Sequence, residues 1–386
     1  MNIPYGRQWI QEDDIAAVLK VLRSDWLTTG PAVQEFEAAL AEKTGAGYAV
    51  VVSNGTAALH LACLAAAVGP GDVAISSPNT FVASMNCALY CGARPAFVDI
   101  DPGTYNLDPE ALVSFLERYH GEGKLKALIP VHFAGQPCDI ERISRAARKA
   151  KLTVIEDASH ALGAQWKDSR GGWHTVGSCS HSDMTTFSFH PVKHITTGEG
   201  GAILTNRSDL HEKLKQLRNH GIVRNPRPSS NGHGARYYEM QELGFNYRLT
   251  DMQCALGISQ LRKIEGWVAR RREIASLYDR LLAGSDKVTI PHQRPNMRSS
   301  YHLYVIQVPS RCKVYQALQA RGIGVQIHYL PVHLHPLYRA RFGFKPGDFP
   351  AAEAYYERTL TLPIFPRLSD DEVKQVVHEL EECLQN

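Results

Sequence analysis

The stretch DMTTFSFHPVKHITTGEGG, Asp183 to Gly201, decides how this chain is read. An apolar, β-prone run from Thr185 to Phe189 leads to one amine, Lys193, and then to a glycine-rich turn at Gly198, Gly200 and Gly201. A lysine between a strand end and such a turn can sit in a cleft. Loss of water and neighbouring cations there depress its pKa and free the amine for carbonyl chemistry, as a Schiff-base lysine requires. Most lysines are simply solvated, so the surroundings of Lys193 carry the argument.

With 386 residues, 44% of them hydrophobic, the chain has material for a sizeable core and two or three domains. The formal charge of +3 is small and its basic residues are interspersed with acidic ones, which argues against nucleic acid or an anionic membrane as partner. Eight cysteines, at 63, 87, 91, 138, 179, 254, 312 and 383, show neither a CxxC pair nor zinc-site spacing, so no metal is expected. No basic segment followed by an apolar run opens the chain, and no apolar run reaches membrane-spanning length. The expectation is a cytoplasmic protein with free thiols.

Working outward, Ile15, Val18, Leu19 and Leu22 recur at helical spacing between Glu12 and Ser24, and a second helix is predicted from Val33 to Lys43. Short apolar strands then alternate with helical patterns. Strands are predicted at 48–52, 73–76, 96–100, 127–132 and 153–156, and helices at 56–67, 81–90, 109–119 and 140–149. This alternation implies an α/β protein with a mainly parallel sheet and ligands at the carboxyl ends of its strands. The lysine segment and Ala202 to Thr205 add strands, and the polar stretch from His220 to Gly234 reads as a lid or mobile loop. One long or broken helix is expected from Thr250 to Tyr278. Beyond it come strands at 301–308 and 325–330 and helices at 314–321 and 369–384, the last capped by Ser369. The division predicted is a large domain over 1–255 and a small α+β domain over 256–386.

Two further motifs stand at strand ends. In VIEDASHALGA, Asp157 closes an apolar strand, where a carboxylate either projects into a cleft or caps a helix. In SNGTAAL, Gly55 and Thr56 open a helix whose free amides and dipole favour a phosphate, although the same sequence also serves ordinary turns.

FSFHPVK followed by TTGEGG resembles the lysine segment of the DegT/DnrJ/EryC1/StrS sugar-nucleotide aminotransferases, and motifs in the family's order run from Tyr5 to LPIFPRLSDDE at 362–372. The resemblance looks closest to the enzymes that aminate carbon 4 of a UDP-linked keto-deoxy sugar on the way to pseudaminic acid. It implies the fold-type I architecture of pyridoxal-phosphate aminotransferases, pyridoxal 5'-phosphate as cofactor, L-glutamate as amino donor and a homodimer with shared sites. Lys193 then carries the cofactor and moves protons, Asp157 holds the pyridine nitrogen, and Phe81 stacks on the ring unless it is ordinary core. Gly55, Thr56 and Ser188 cradle the phosphate, and His160, where many members have Gln, lies on the ring's oxygen side. Asn246 in LGFNYRLTDMQ matches a residue that reaches the neighbouring subunit's phosphate, although it also suits a turn before the long helix. Substrate contacts are implied at Tyr5, at Asp25, Trp26, Leu27 and Thr28, and at His328 and Tyr329 of QIHYLP. Rivals are amination at carbon 3 of a nucleotide sugar or of a keto-inositol, and a cofactor-retaining regulatory protein. The sugar-dehydratase branch replaces the lysine by His, whereas Lys193 is present here.

Overall fold

The sheet strands of this chain are short and mostly apolar, the pattern of a sheet covered by helices on both faces. The computed structural model describes residues 2–224 and 238–385. Seven strands form one sheet in the order Tyr48–Val52, Gly201–Thr205, Met184–Ser188, Thr153–Asp157, Lys124–Ile129, Asp72–Ser76 and Arg94–Phe97. Six of them point the same way, and Gly201–Thr205 runs antiparallel to both its neighbours. The mainly parallel sheet expected from the alternation is therefore present, with one reversed strand.

Successive side chains of a strand point to opposite faces. Accordingly Val51, Leu128, Val154 and Leu204 enter one core, and Val50, Ile129, Ile155 and Ile203 enter the other. The first core is closed by helices Pro31–Thr44, Ile140–Lys149 and Asp251–Leu261, the second by Gly55–Ala65, Ala83–Tyr90 and Ser208–Arg218. A third core lies between the antiparallel pair Tyr304–Gln307 with Thr359–Leu362 and helices Ile264–Leu282, Arg311–Ala320 and Asp370–Gln385. Ser369 caps the last helix as expected, its Oγ accepting from the Glu372 amide at 3.2 Å. The chain's beginning belongs to this third core: Ile3 is buried in it, and the Gly324 amide donates to the Ile3 carbonyl at 2.7 Å.

Several expectations change. The predicted helix from Thr250 to Tyr278 is two helices, Asp251–Leu261 and Ile264–Leu282. Residues 325–330 form no strand beyond an isolated bridge from Gln326 to Thr361. His328 and Tyr329 are neighbours that both line one cleft, which strict strand alternation forbids. Helix Glu12–Leu22 is amphipathic as expected, but Ile15, Leu19 and Leu22 are exposed. Its buried side chain is Asp14, which accepts from Gln260 Nε2 at 2.7 Å and from Lys263 Nζ at 2.8 Å. Of the stretch from His220 to Gly234, residues 225 onward lie outside the described residues. Among the described residues no helix is long and apolar enough to cross a membrane, and all eight cysteines are free thiols.

Helices Pro31–Thr44 and Asp251–Leu261 approach so closely that a Cβ on Gly257 would stand 2.5 Å from the buried Phe36 ring. Gly257→Ala gains helix propensity of about 1 kcal/mol but overpacks a rigid ring at a cost of about 1–3 kcal/mol. The expected outcome is a net loss of stability, read as a lower urea midpoint with an unchanged slope. A higher midpoint would mean that the two helices separate freely.

Candidate active site

Parallel strands deliver their carboxyl ends to one edge of the sheet, and the loops leaving that edge enclose a cleft of about 890 Å³. Strand Tyr48–Val52 leads to Gly55 and Thr56, Asp72–Ser76 to Thr80 and Phe81, Thr153–Asp157 to Asp157 and His160, and Met184–Ser188 to Ser188 and Lys193. Tyr5, His328 and Tyr329 complete the lining. Ten of the residues singled out from sequence thus meet in one place: Tyr5, Gly55, Thr56, Phe81, Asp157, His160, Ser188, Lys193, His328 and Tyr329.

Burial holds the Lys193 amine down to about 8, against the pull of the Asp157 charge, which favours the ammonium. Asp157 is itself buried and fixed, with Oδ2 accepting from Ser84 Oγ at 2.6 Å and Oδ1 from the Ser159 amide at 3.1 Å. Ser84 also shares a 2.7 Å hydrogen bond with Thr80, so the carboxylate's direction is set by the helix that follows Phe81. Around the amine stand buried imidazoles. His160, His194 and His302 are all held well below the usual histidine range, chiefly by burial and further by the Lys193 charge. His328 is pushed down to about 3 for the same two reasons. These rings are neutral at physiological pH. Burial raises the Tyr329 phenol, which bonds His160 Nε2 at 3.2 Å.

The donor set fits the cofactor that the resemblance implies. At the start of helix Gly55–Ala65, Asn54 occupies the Ala57 amide through its side chain and the Ala58 amide through its carbonyl. Among the described residues nothing bonds the amides of Gly55 and Thr56, which a phosphate can accept from. A Cβ at Gly55 would stand 2.8 Å from Ser188 Cβ, so glycine is what lets the helix start meet the Ser188 hydroxyl. The Phe81 ring is 55% exposed and borders the cleft, a surface for a flat ring rather than core. Nδ1 of His160 is buried without a partner among the described residues, a polar atom free for a ligand.

Five residues fall outside the cleft. Asp25, Trp26, Leu27 and Thr28 are exposed after helix Glu12–Leu22, and Asn246 is exposed beside its bridge partner Asn219. Sequence reasoning missed Ser84, which sits one helical turn after Phe81, and His302, which arrives from the C-terminal core to within 3.4 Å of Lys193 Nζ. Helical spacing from Phe81 was a usable signal for the first. No local signal marks the second. Among the described residues no group of three or more His, Cys, Asp or Glu side chains is placed to hold a metal ion.

A model of the DegT/DnrJ/EryC1/StrS aminotransferase family matches residues 8–381. The spore coat polysaccharide biosynthesis protein SpsC of Bacillus subtilis is 38% identical, over 99% of this chain and 97% of its own length. Among solved structures, Helicobacter pylori PseC, an aminotransferase involved in the biosynthesis of pseudoaminic acid, matches with a TM-score of 0.89 at 32% identity over 100% of both chains. Spr1654 of Streptococcus pneumoniae, solved in a PLP form and a PMP form, matches with a TM-score of 0.89 at 30% identity over 100% of this chain and 99% of its own.

The electrostatics give a direct expectation. In cofactor-free protein, trinitrobenzenesulfonate labelling of Lys193 should rise with a midpoint near pH 8, whereas ordinary lysines titrate near 10.4. Asp157 favours the charged form, so Asp157→Asn should move that midpoint to lower pH. A midpoint near that of solvated lysines, or one that rises in the variant, would contradict the account.

Proposed function

The chain belongs to the DegT/DnrJ/EryC1/StrS aminotransferase family, and from that premise we propose that it aminates carbon 4 of a UDP-linked 4-keto-6-deoxy-N-acetylhexosamine. The substrate of this reading is UDP-2-acetamido-2,6-dideoxy-β-L-arabino-hex-4-ulose, the amino donor is L-glutamate and the cofactor is pyridoxal 5'-phosphate. The observation that carries it is a half-buried lysine amine, held down to about 8 by burial, in one cleft with a fixed carboxylate and a helix start whose first two amides have no partner among the described residues. Whole-length likeness to PseC supports the choice of sugar.

Bound in the cleft, the cofactor supplies an electrophilic carbonyl and an electron sink. The Asp157 carboxylate, fixed by Ser84 and the Ser159 amide, would keep a proton on the cofactor's pyridine nitrogen. The amides of Gly55 and Thr56 and the Ser188 hydroxyl, which line the cleft, would hold its phosphate, and Phe81 and His160 would lie against its ring. Lys193 Nζ, neutral in a substantial fraction of molecules near pH 8, takes up the proton that leaves the α-carbon of the donor. In the second half-reaction it delivers a proton to carbon 4 of the sugar. Tyr5, His328 and Tyr329, which line the same cleft, bind the nucleotide sugar and exclude water from the reacting atoms.

A second copy of the chain completes the site in this reading. Ile15, Leu19, Leu22, Trp26 and Leu27 are all more than 40% exposed on and after one helix, and an apolar surface of that kind calls for a partner. Asn246 and the Asp25 to Thr28 loop then serve the partner's cleft rather than their own.

Lys193→Ala should lower 2-oxoglutarate release from glutamate and the keto sugar by at least about a thousandfold. Turnover near that of the unaltered protein would end the assignment, and nuclear magnetic resonance of the product decides between carbon 4 and carbon 3. Leu19→Asp combined with Leu22→Asp should convert a dimer to an inactive monomer in light scattering. A fully active monomer would remove the shared site.

A further inference from the structure

The segment from Ser299 to Leu303 runs from the third core to Lys193, and its groups are fixed by hydrogen bonds. The Ser300 and Leu303 amides donate to the carbonyls of Gly135 and Ala134 at 3.0 and 3.2 Å. Ser300 Oγ donates to the His160 carbonyl at 3.2 Å, and His194 Nε2 donates to the Ser300 carbonyl at 3.1 Å. Tyr301 takes a left-handed backbone, with φ of 46°, which a bulky residue adopts only under constraint. The constraint is Arg271, buried to 2% exposure, whose guanidinium donates to the carbonyls of Tyr301, His302 and Ile364 at 3.2, 3.4 and 2.9 Å.

All of this presents one ring. His302 is 5% exposed, its Nε2 lies 3.4 Å from Lys193 Nζ, and its centroid is 4.4 Å from that of His160. We propose that His302 is a positioning residue for the reaction, accepting a hydrogen bond from Lys193 at Nε2 and holding Nζ in the cleft whenever the amine is free. An ammonium has donors only, so Nε2 must be the acceptor and the ring hydrogen stands on Nδ1. Nδ1 has no partner among the described residues, which leaves Nε2 as the ring's one engaged nitrogen. The charged and titratable groups facing the pair are Asp157, His160, His194, His328 and Arg271. Burial, with the Lys193 and Arg271 charges among the lesser causes, keeps His302 uncharged and so able to accept. The role in turnover rests on the transamination proposed above, whereas the contact with Lys193 does not.

The test compares His302→Phe, which keeps a ring and loses the acceptor, with His302→Gln, which keeps an acceptor on a longer chain. In cofactor-free protein, the trinitrobenzenesulfonate midpoint of Lys193 should fall by roughly half a unit or more in the phenylalanine variant, because a lost acceptor disfavours the ammonium. In holoenzyme, kcat should fall roughly tenfold or more while KM for the UDP-keto sugar stays within about twofold. The glutamine variant should recover much of both. An unshifted midpoint in His302→Phe overturns the proposal whatever the activity does. Equal loss in both variants with an unshifted midpoint marks His302 as structural. If the phenylalanine variant does not fold, His302→Asn, too short to reach Nζ, takes its place. Failure to aminate any UDP-keto sugar would end the proposed substrate and leave the Lys193 midpoint to decide this question alone.

Discussion

The Lys193 amine shares its cleft with the Asp157 carboxylate, whose charge favours the ammonium while burial disfavours it. Burial and Asp157 oppose one another at Lys193, and burial wins, leaving the amine at about 8. Relative to a solvated lysine that balance disfavours the ammonium by about 3 kcal/mol. The protein sustains it by fixing the carboxylate elsewhere, on Ser84 Oγ and the Ser159 amide, so that Asp157 cannot swing into a tight ion pair with the amine.

The remaining groups respect the same constraint. Further cations close to Nζ would lower its pKa again, and the nearby histidines avoid adding them by being neutral. The buried cation behind them, Arg271, spends its hydrogen bonds on backbone carbonyls and has its own pKa lowered to about 10 by burial. Retaining a guanidinium there without an acidic partner among its hydrogen bonds makes sense as a clamp on the turn at Tyr301.

What the sequence disclosed depended on whether the deciding contacts were local. Strand Thr153–Asp157 and its terminal carboxylate, the Gly55 helix start and Lys193 after its strand each follow from a few neighbouring residues, and each lies where the pattern puts it. Ser84 was half legible, since only the turn of helix between it and Phe81 links it to the cleft. His302 was illegible because its meaning comes from a lysine 109 residues away. The stretch after Val325 read as a strand by composition. Placing His328 and Tyr329 on one cleft overrode that propensity. The periodicity of Ile15, Leu19 and Leu22 correctly announced an amphipathic helix, but hydrophobic spacing does not say whether the same chain covers the face.

The cleft has two owners, and this shapes how its parts can act together. Lys193, Asp157, Ser188 and the Gly55 helix start hang from the central sheet, whereas Tyr329 packs beside Phe133, Leu303 and Tyr355, and Tyr5 and His328 hang from the third core. Tyr5 is tied there through its carbonyl to the Ile364 amide at 3.0 Å, and His328 through Nδ1 to Thr361 Oγ1 at 2.8 Å. Lys193 and the trio Tyr5, His328 and Tyr329 therefore share no strand or helix. Their relative position depends on contacts such as Ser300 to Gly135, Leu303 to Ala134 and Tyr329 to His160. In the proposed reading, a sugar held by Tyr5 and Tyr329 is presented to Lys193 only as accurately as those contacts are kept. Loosening the crossing segment should thus degrade alignment at the reacting carbon before it degrades either core, since each core has its own buried apolar set.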